Sequence, residues 1–383
     1  MKNTRAACSF AEALPAPASM STAINPILNA FICPPCLSER VILAGGNGVG
    51  KRQRLEFPSN QGWNPAMDEV ARWIRVVARG RHGARDLEMS EAKQVFAHLL
   101  GRDADPLQLG AFLIAQRLKG ESSAELAGFV QAARACITGH GVFQASEDCV
   151  DLPCYAGKRR ASAVHLLAAL RARDRGIGVV VHGLATIEGR ASAWVFLRQA
   201  GVRRARQLKE GLRILQGEGI VFLALEDICP ELARLIALRS RLGVRTCAHT
   251  VARLLNPMHC TGQLNGVFHA PYVARMTEAN RLLGQPRSLV FMGAEGEPEL
   301  YAERQKGMRY LADGRCWGLV YPSSDGGGYP RGARDMEALQ RDFAEMSSGH
   351  YDERVRMVLE RMREAFDLVA GRCWPASWKK EEV

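Results

Sequence analysis

Residues 150–173 read VDLPCYAGKRRASAVHLLAALRAR. An extended apolar start through Val150 and Leu152, a turn at Gly157, three bases at Lys158, Arg159 and Arg160, and then a helical run give strand, loop and helix in that order. Phosphate-binding loops are often built this way, because the amides at the start of the helix face an anion. The pattern repeats downstream. IGVVVHG (177–183), GIVFLAL (219–225), GQLNGVF (262–268) and RSLVFMG (287–293) are short β-rich runs, separated by helical stretches such as ASAWVFLRQAG and PYVARMTEANRLLG. That alternation predicts a sheet flanked by helices. SSDGGGYPRGARD (323–335) reads as a loop, and YDERVRMVLERMREAFDLVAG (351–371) reads as a helix.

Upstream, residues 67–138 read as all-helical. DEVARWIRVVARG carries a clean helical period; Ser90 is a candidate cap for EAKQVFAHLL; Asp105-Pro106 opens LQLGAFLIAQRLK, which Gly120 closes; Ser122 or Ser123 opens AELAGFVQAARACI. Short loops between such segments predict a compact bundle. Residues 1–66 are rich in Ala, Pro, Ser and Gly and lack periodicity, so they are expected to be a poorly ordered extension, with Met67 a candidate natural start. We expect three parts: this extension, a helical domain over 67–140, and an α/β domain over 141–383 with part of 191–240 packed on the helical one.

Charge narrows the function classes. The chain carries 51 Lys and Arg against 40 Asp and Glu. Between Asp151 and Leu215 there are 13 bases and four acids, a net of +9, whereas residues 67–383 as a whole net +8 from 45 bases and 37 acids. The excess is therefore local, and a local basic footprint favours a polyanionic partner; the competing reading is a solvated basic face. No run reaches the roughly 18 to 20 apolar residues of a membrane span, which with 11 irregularly spaced cysteines leads us to expect a cytoplasmic protein with reduced thiols.

Several motifs carry less than they suggest. Gly45 to Lys51 fits G-x-x-x-x-G-K, but Arg52 stands where a P-loop needs Ser or Thr to hold Mg²⁺. Cys33-Pro-Pro-Cys36 is half of a zinc or redox signature. His182 at a strand end and His165 on an apolar helix face read as structural groups. Glu295-Gly-Glu-Pro-Glu299 offers carboxylates for Mg²⁺, though its central proline favours an exposed turn.

AFLIAQRLKGESSAELAGFVQAAR (111–134), VVHG (180–183), RSRLGVRT (239–246), LLNP (254–257) and GQLNGVF stand in an order that resembles the anthranilate phosphoribosyltransferase family, glycosyltransferase family 3. The resemblance covers about Met67 to Val320. It implies an α/β fold with a small N-terminal helical domain, of the anthranilate phosphoribosyltransferase and nucleoside phosphorylase type. In that family a Gly-Thr-Gly-Gly-Asp loop grips phosphoribosyl pyrophosphate; here Cys154-Tyr155-Ala156-Gly157-Lys158 stands in its place. The Lys before His-Gly is Val181, the Asn-x-Ser-Thr segment is missing, and the metal-binding Asp-Glu pair is represented by Pro298-Glu299. Gly157, His182, Gly183, Arg239 and Arg245 form what remains of a substrate site, Arg239 matching an arginine that contacts the aromatic acceptor.

GAEGEPEL (293–300), AHTVARLLNP (248–257) and MTEANRLLG (276–284) resemble a divergent branch, the YbiB-type proteins, regarded as non-specific nucleic-acid-binding homodimers. This resemblance implies a non-catalytic protein that dimerises through the helical domain and binds single-stranded DNA or RNA in a basic groove, with no cofactor. The candidate contacts are Lys158, Arg159, Arg160, Arg171, Arg173, Arg175, Arg203, Arg204, Arg206 and Lys209, with Tyr155 either stacking on a base or buried. The alternative is a phosphoribosyltransferase that uses phosphoribosyl pyrophosphate and Mg²⁺. A third possibility is a metabolic relative that binds another anion.

Overall fold

Four helices lead the described chain: α1 (Pro65–Val77), α2 (Met89–Leu100), α3 (Pro106–Lys119) and α4 (Ser123–Ala135). The computed structural model describes residues 65–80, 82–303, 306–325 and 328–381. The N-terminal extension, with its Gly45–Lys51 and Cys33–Cys36 motifs and the candidate start at Met67, lies mostly or wholly outside the residues whose side chains are described. Asp105 caps α3 by accepting from the Gln108 amide at 2.8 Å. Ser122 caps α4 in a reciprocal box with Glu125. Ser90 does not cap α2. That helix starts at Met89, and its box is closed by Glu91, which accepts from the Glu88 amide at 2.9 Å and from Arg85 at 2.7 Å. A glutamate three residues on satisfies the orphan amide, which leaves the serine inside the first turn.

The α/β part follows as β1 (Cys149–Cys154), α5 (Val164–Asp174), β2 (Gly178–Gly183), α6 (Ala193–Gln199), β3 (Arg204–Ala205), α7 (Leu208–Glu218) and β4 (Ile220–Ala224). Then come α8 (Leu225–Ile228), α9 (Pro230–Ala237), α10 (Arg239–Leu242), α11 (Ala248–Arg253), β5 (Gly262–Val267), α12 (Pro271–Leu282) and β6 (Arg287–Met292). The chain closes with β7 (Met308–Ala312), β8 (Arg315–Val320), α13 (Met336–Ser347), α14 (Glu353–Val369) and β9 (Lys379–Glu381). The nine strands form one sheet in the order β3-β4-β2-β1-β5-β6-β7-β8-β9. It is parallel from β3 to β6 and antiparallel beyond.

Parallel strands must be covered on both faces, which is why they read as unbroken apolar runs. Alternate side chains serve opposite cores. Val179 and Val181 pack with α5, α6, α13 and α14, while Val180 joins a second core shared with α7 to α12 and the helical bundle. Within 191–240 the chain divides between them: α6 sets Phe196 against Phe343 of α13, whereas Arg234 of α9 donates to the carbonyls of Leu100 and Gly101 at the end of α2. Arg134 of α4 clasps the carbonyls of Leu254 and Leu255. Bundle and sheet thus belong to one compact unit.

Candidate functional site

Ligands of open parallel sheets sit beyond the carboxyl ends of the strands, and the loop after β1 opens there. Gly157 has φ +72, and a Cβ on it would stand 2.9 Å from that of Arg190. Lys158 and Ala191 exchange backbone hydrogen bonds at 2.8 Å each way, which ties this loop to the one after β2.

The amides that would face a pyrophosphate are already engaged. Those of Ala156 (2.8 Å) and Gly157 both donate to Glu297 Oε1. The amides of Arg159 and Arg160 donate to the two oxygens of Glu295 at 3.0 and 3.1 Å. Glu299 accepts from Lys158 Nζ at 2.7 Å, and from the His165 amide at 3.2 Å and ring Nδ1 at 3.0 Å. Tyr329 completes the knot, accepting from Lys158 and donating to Glu295. The segment 295–299 is therefore no exposed turn: Glu295, Glu297 and Glu299 are buried. Glu295 itself takes a left-handed backbone, φ 58, which turns the chain sharply enough to aim alternate glutamates at one loop. Burial alone would raise the Glu299 carboxyl, but the ammonium of Lys158 and the hydrogen bond and charge of His165 hold it down, at about 2.

This geometry overturns one expected contact outright. Lys158 is 1% exposed and spent inside the protein, because an unpaired glutamate there would be costlier than a buried pair. Tyr155 is buried as well. Its hydroxyl meets His182 Nδ1 at 2.8 Å, and His182 Nε2 meets Asp151 at 3.2 Å, a buried polar chain within the sheet. Gly183 has a packing reason, since a Cβ there would fall 2.2 Å from the Cys154 carbonyl of the neighbouring strand.

Arg159 and Arg160 are exposed and form no ion pair among the described residues. Arg206 and Lys209 are also exposed, near the same carboxyl end of the sheet, between β3 and the start of α7. The remaining candidates lie elsewhere or are engaged. Arg173 and Arg175 sit at the end of α5, which runs back to the amino ends of the strands; Arg173 pairs with Asp174 and Arg175 with Asp367. Arg203 precedes β3 and pairs with Glu218, Arg204 with Asp227, and Arg171 donates to Tyr351. The ten bases therefore do not share one face. Arg239 is exposed at the start of α10, and Arg245 is half-buried nearby, its guanidinium lowered to about 10 by burial and by the neighbouring Arg253, Arg239 and Arg190.

Mg²⁺ needs oxygen donors with room around them. Of the Asp-Glu counterpart, Pro298 offers no side-chain ligand and both oxygens of Glu299 are engaged, so these residues do not fit the ion. Cys154, His165 and Glu297 do bring three donor atoms within 4.8 Å, but that sulfur and nitrogen set suits zinc-type ions and is sealed in the core.

A helical bundle ahead of a mainly parallel sheet, with a remodelled phosphate loop at the strand ends, defines the class of glycosyl transferases that carry a helical domain. Residues 72–136 match the family model described as glycosyl transferase family, helical bundle domain. The chain is 30% identical over 249 residues to the uncharacterized protein YbiB of Escherichia coli K12, covering 62% of this chain and 77% of that one. It is 31% identical over 287 residues to the anthranilate phosphoribosyltransferase of Methylobacterium radiotolerans, 70% and 82% respectively. The crystal structure of the anthranilate phosphoribosyltransferase of Thermus thermophilus superposes with a TM-score of 0.61 at 23% identity, over 80% of this chain and 90% of that one. The chain belongs to the anthranilate phosphoribosyltransferase-like family of glycosyl transferases, with YbiB among its relatives.

Proposed function

We propose that this protein is a non-catalytic, sequence-independent nucleic-acid-binding member of its family, acting as a homodimer. One observation carries the reading: the backbone amides of residues 156, 157, 159 and 160 are consumed by the chain's own glutamates, while the side chains of Arg159 and Arg160 are left in solvent. A loop filled in this way has these four amides already occupied, and it presents its charge outward, where the phosphates of a strand can reach it. Arg206 and Lys209 extend that charge along the same end of the sheet. The dimer reading is supported by a groove of about 690 Å³ on the helical bundle, lined by Val77, Ile114 and Leu118 among others. Leu118 and Leu107 are 82% and 81% exposed on the same bundle, as expected of a face that is covered in an assembly.

The test is an anisotropy titration of labelled single-stranded DNA and RNA over a salt series. Each phosphate contact on a single strand adds about 0.7 to the slope of log affinity against log salt. Replacing both Arg159 and Arg160 by Ala should therefore flatten the slope by about 1.4, whereas replacing Arg173 and Arg175 should leave it unchanged. An unaltered slope in the first variant removes the loop from the interface. The transferase alternative draws on the 31% identity to the Methylobacterium radiotolerans protein; it requires Mg²⁺-dependent turnover of phosphoribosyl pyrophosphate with an aromatic amine, and we expect none.

A further inference from the structure

A second cavity, of about 120 Å³, opens between the end of α3, α11 and the turn after β5. Arg117, Arg245, Thr246, His249, Arg253 and Phe268 line it. Unlike the knot beside it, this wall keeps its binding capacity unspent. Arg253 is 8% exposed, and its guanidinium donates from Nη1 to the His249 carbonyl at 2.6 Å. None of the three arginines forms an ion pair among the described residues. Glu297, whose field reaches Arg253 and Arg245, takes the amides of Ala156 and Gly157 on Oε1, while its Oε2 is buried with no partner among the described residues; Glu121 behind the wall accepts from the Tyr272 hydroxyl at 2.5 Å. Thr246 Oγ1 and His249 Nδ1 are buried and have no partner among the described residues.

Buried polar atoms of this kind are as a rule hydrogen-bonded, and three guanidinium groups around one small space attract an anion of more than one charge. The cavity holds several times the volume of a water site yet falls below the roughly 300 Å³ at which sites for whole small molecules begin. It suits a single oxyanion group. Phe268 at its mouth is 60% exposed, a platform on which a base attached to that group can stack.

We propose that this cavity binds a phosphomonoester dianion, presented by the phosphorylated end of a nucleic-acid strand whose terminal base stacks on Phe268. The choice of carrier rests on the nucleic-acid reading above; the choice of a phosphomonoester does not. Arg245 and Arg253 take the phosphate oxygens, Thr246 and His249 supply the remaining hydrogen bonds, and Arg117 closes the site from the bundle.

The experiment measures affinity of the full chain, at one salt concentration, for matched oligonucleotides ending in 5′-hydroxyl, 5′-phosphate or 3′-phosphate. It also titrates inorganic phosphate and ribose 5-phosphate calorimetrically. Charge-assisted hydrogen bonds of about 1.5 to 3 kcal/mol correspond to a preference of roughly tenfold to a hundredfold for one phosphorylated end. Arg253→Met should abolish the preference while leaving binding of the hydroxyl end unchanged; Arg245→Gln and Thr246→Val, nearer the rim or isosteric, give the same readout should the Arg253 variant fail to fold. Equal affinity for all three ends, with no calorimetric binding of either small phosphate, overturns the proposal. Saturable binding of ribose 5-phosphate that is lost in Arg245→Gln, with no oligonucleotide bound at all, upholds the phosphomonoester site and rejects both its carrier and the nucleic-acid reading.

Discussion

Lys158 and Arg159 are neighbours in the chain, yet one is sealed against Glu299 and the other stands in solvent. Their substitutions should differ accordingly. Lys158→Met leaves a buried carboxylate without its ammonium, a class of change that costs about 3 to 5 kcal/mol, whereas Arg159→Ala should stay within about 0.5 kcal/mol; urea unfolding of both variants at neutral pH makes the comparison. Acid adds a second check on the same pair. The Glu299 carboxyl is depressed from 4.5 to about 2 in the folded chain, so the unfolded chain takes up a proton first as pH falls. Its contribution to stability is complete above pH 4.5 and fades as pH drops towards 2. Unfolding midpoints measured across that window should fall in the wild type, and the fall should be shallower in Lys158→Met, where the main cause of the depression is gone.

At the scale of elements, the loop after β1 depends on the segment after β6 for its hydrogen bonds. Glu297→Ala strips the acceptor from two buried amides, each of which then costs about 1 to 3 kcal/mol. Hydrogen exchange at 156 and 157 should quicken sharply in that variant while exchange in β2 does not change; equal protection in both proteins would mean that Glu297 does not hold the loop. The partners are about 140 residues apart in sequence, which is why the strands were legible and the knot was not. A buried parallel strand announces itself as a continuous apolar run such as IGVVVHG. A glutamate-rich run with a proline, EGEPE, carries the signature of a surface turn, and only the fold brings the amides that bury it. The basic run at 158–160 misled for the same reason, since composition registers charge but not the side on which each residue of a turn emerges. The hairpin of β7 and β8 did carry a local signal in Asp313-Gly314. The short edge strand β9, all polar and exposed, carried none.

For the whole molecule, the basic residues divide between the two ends of the sheet, so net charge overstates the size of any one anion-binding face. The apolar groove lies on the bundle, between the end of α1 and α3. On the homodimer proposed above, placing a charge in it, as in Leu118→Glu, should yield a monomer in analytical ultracentrifugation while leaving the thermal midpoint of the folded unit close to that of the wild type; a species of unchanged mass would remove this face from the proposed interface.

The glutamates at 295, 297 and 299 also bear on how such a chain can change. Five amides and a lysine rely on them, so emptying the loop of carboxylates, even one at a time, unsettles the fold. The knot thus welds two distant stretches into one unit: the loop after β1 and the segment after β6 keep their shape only together.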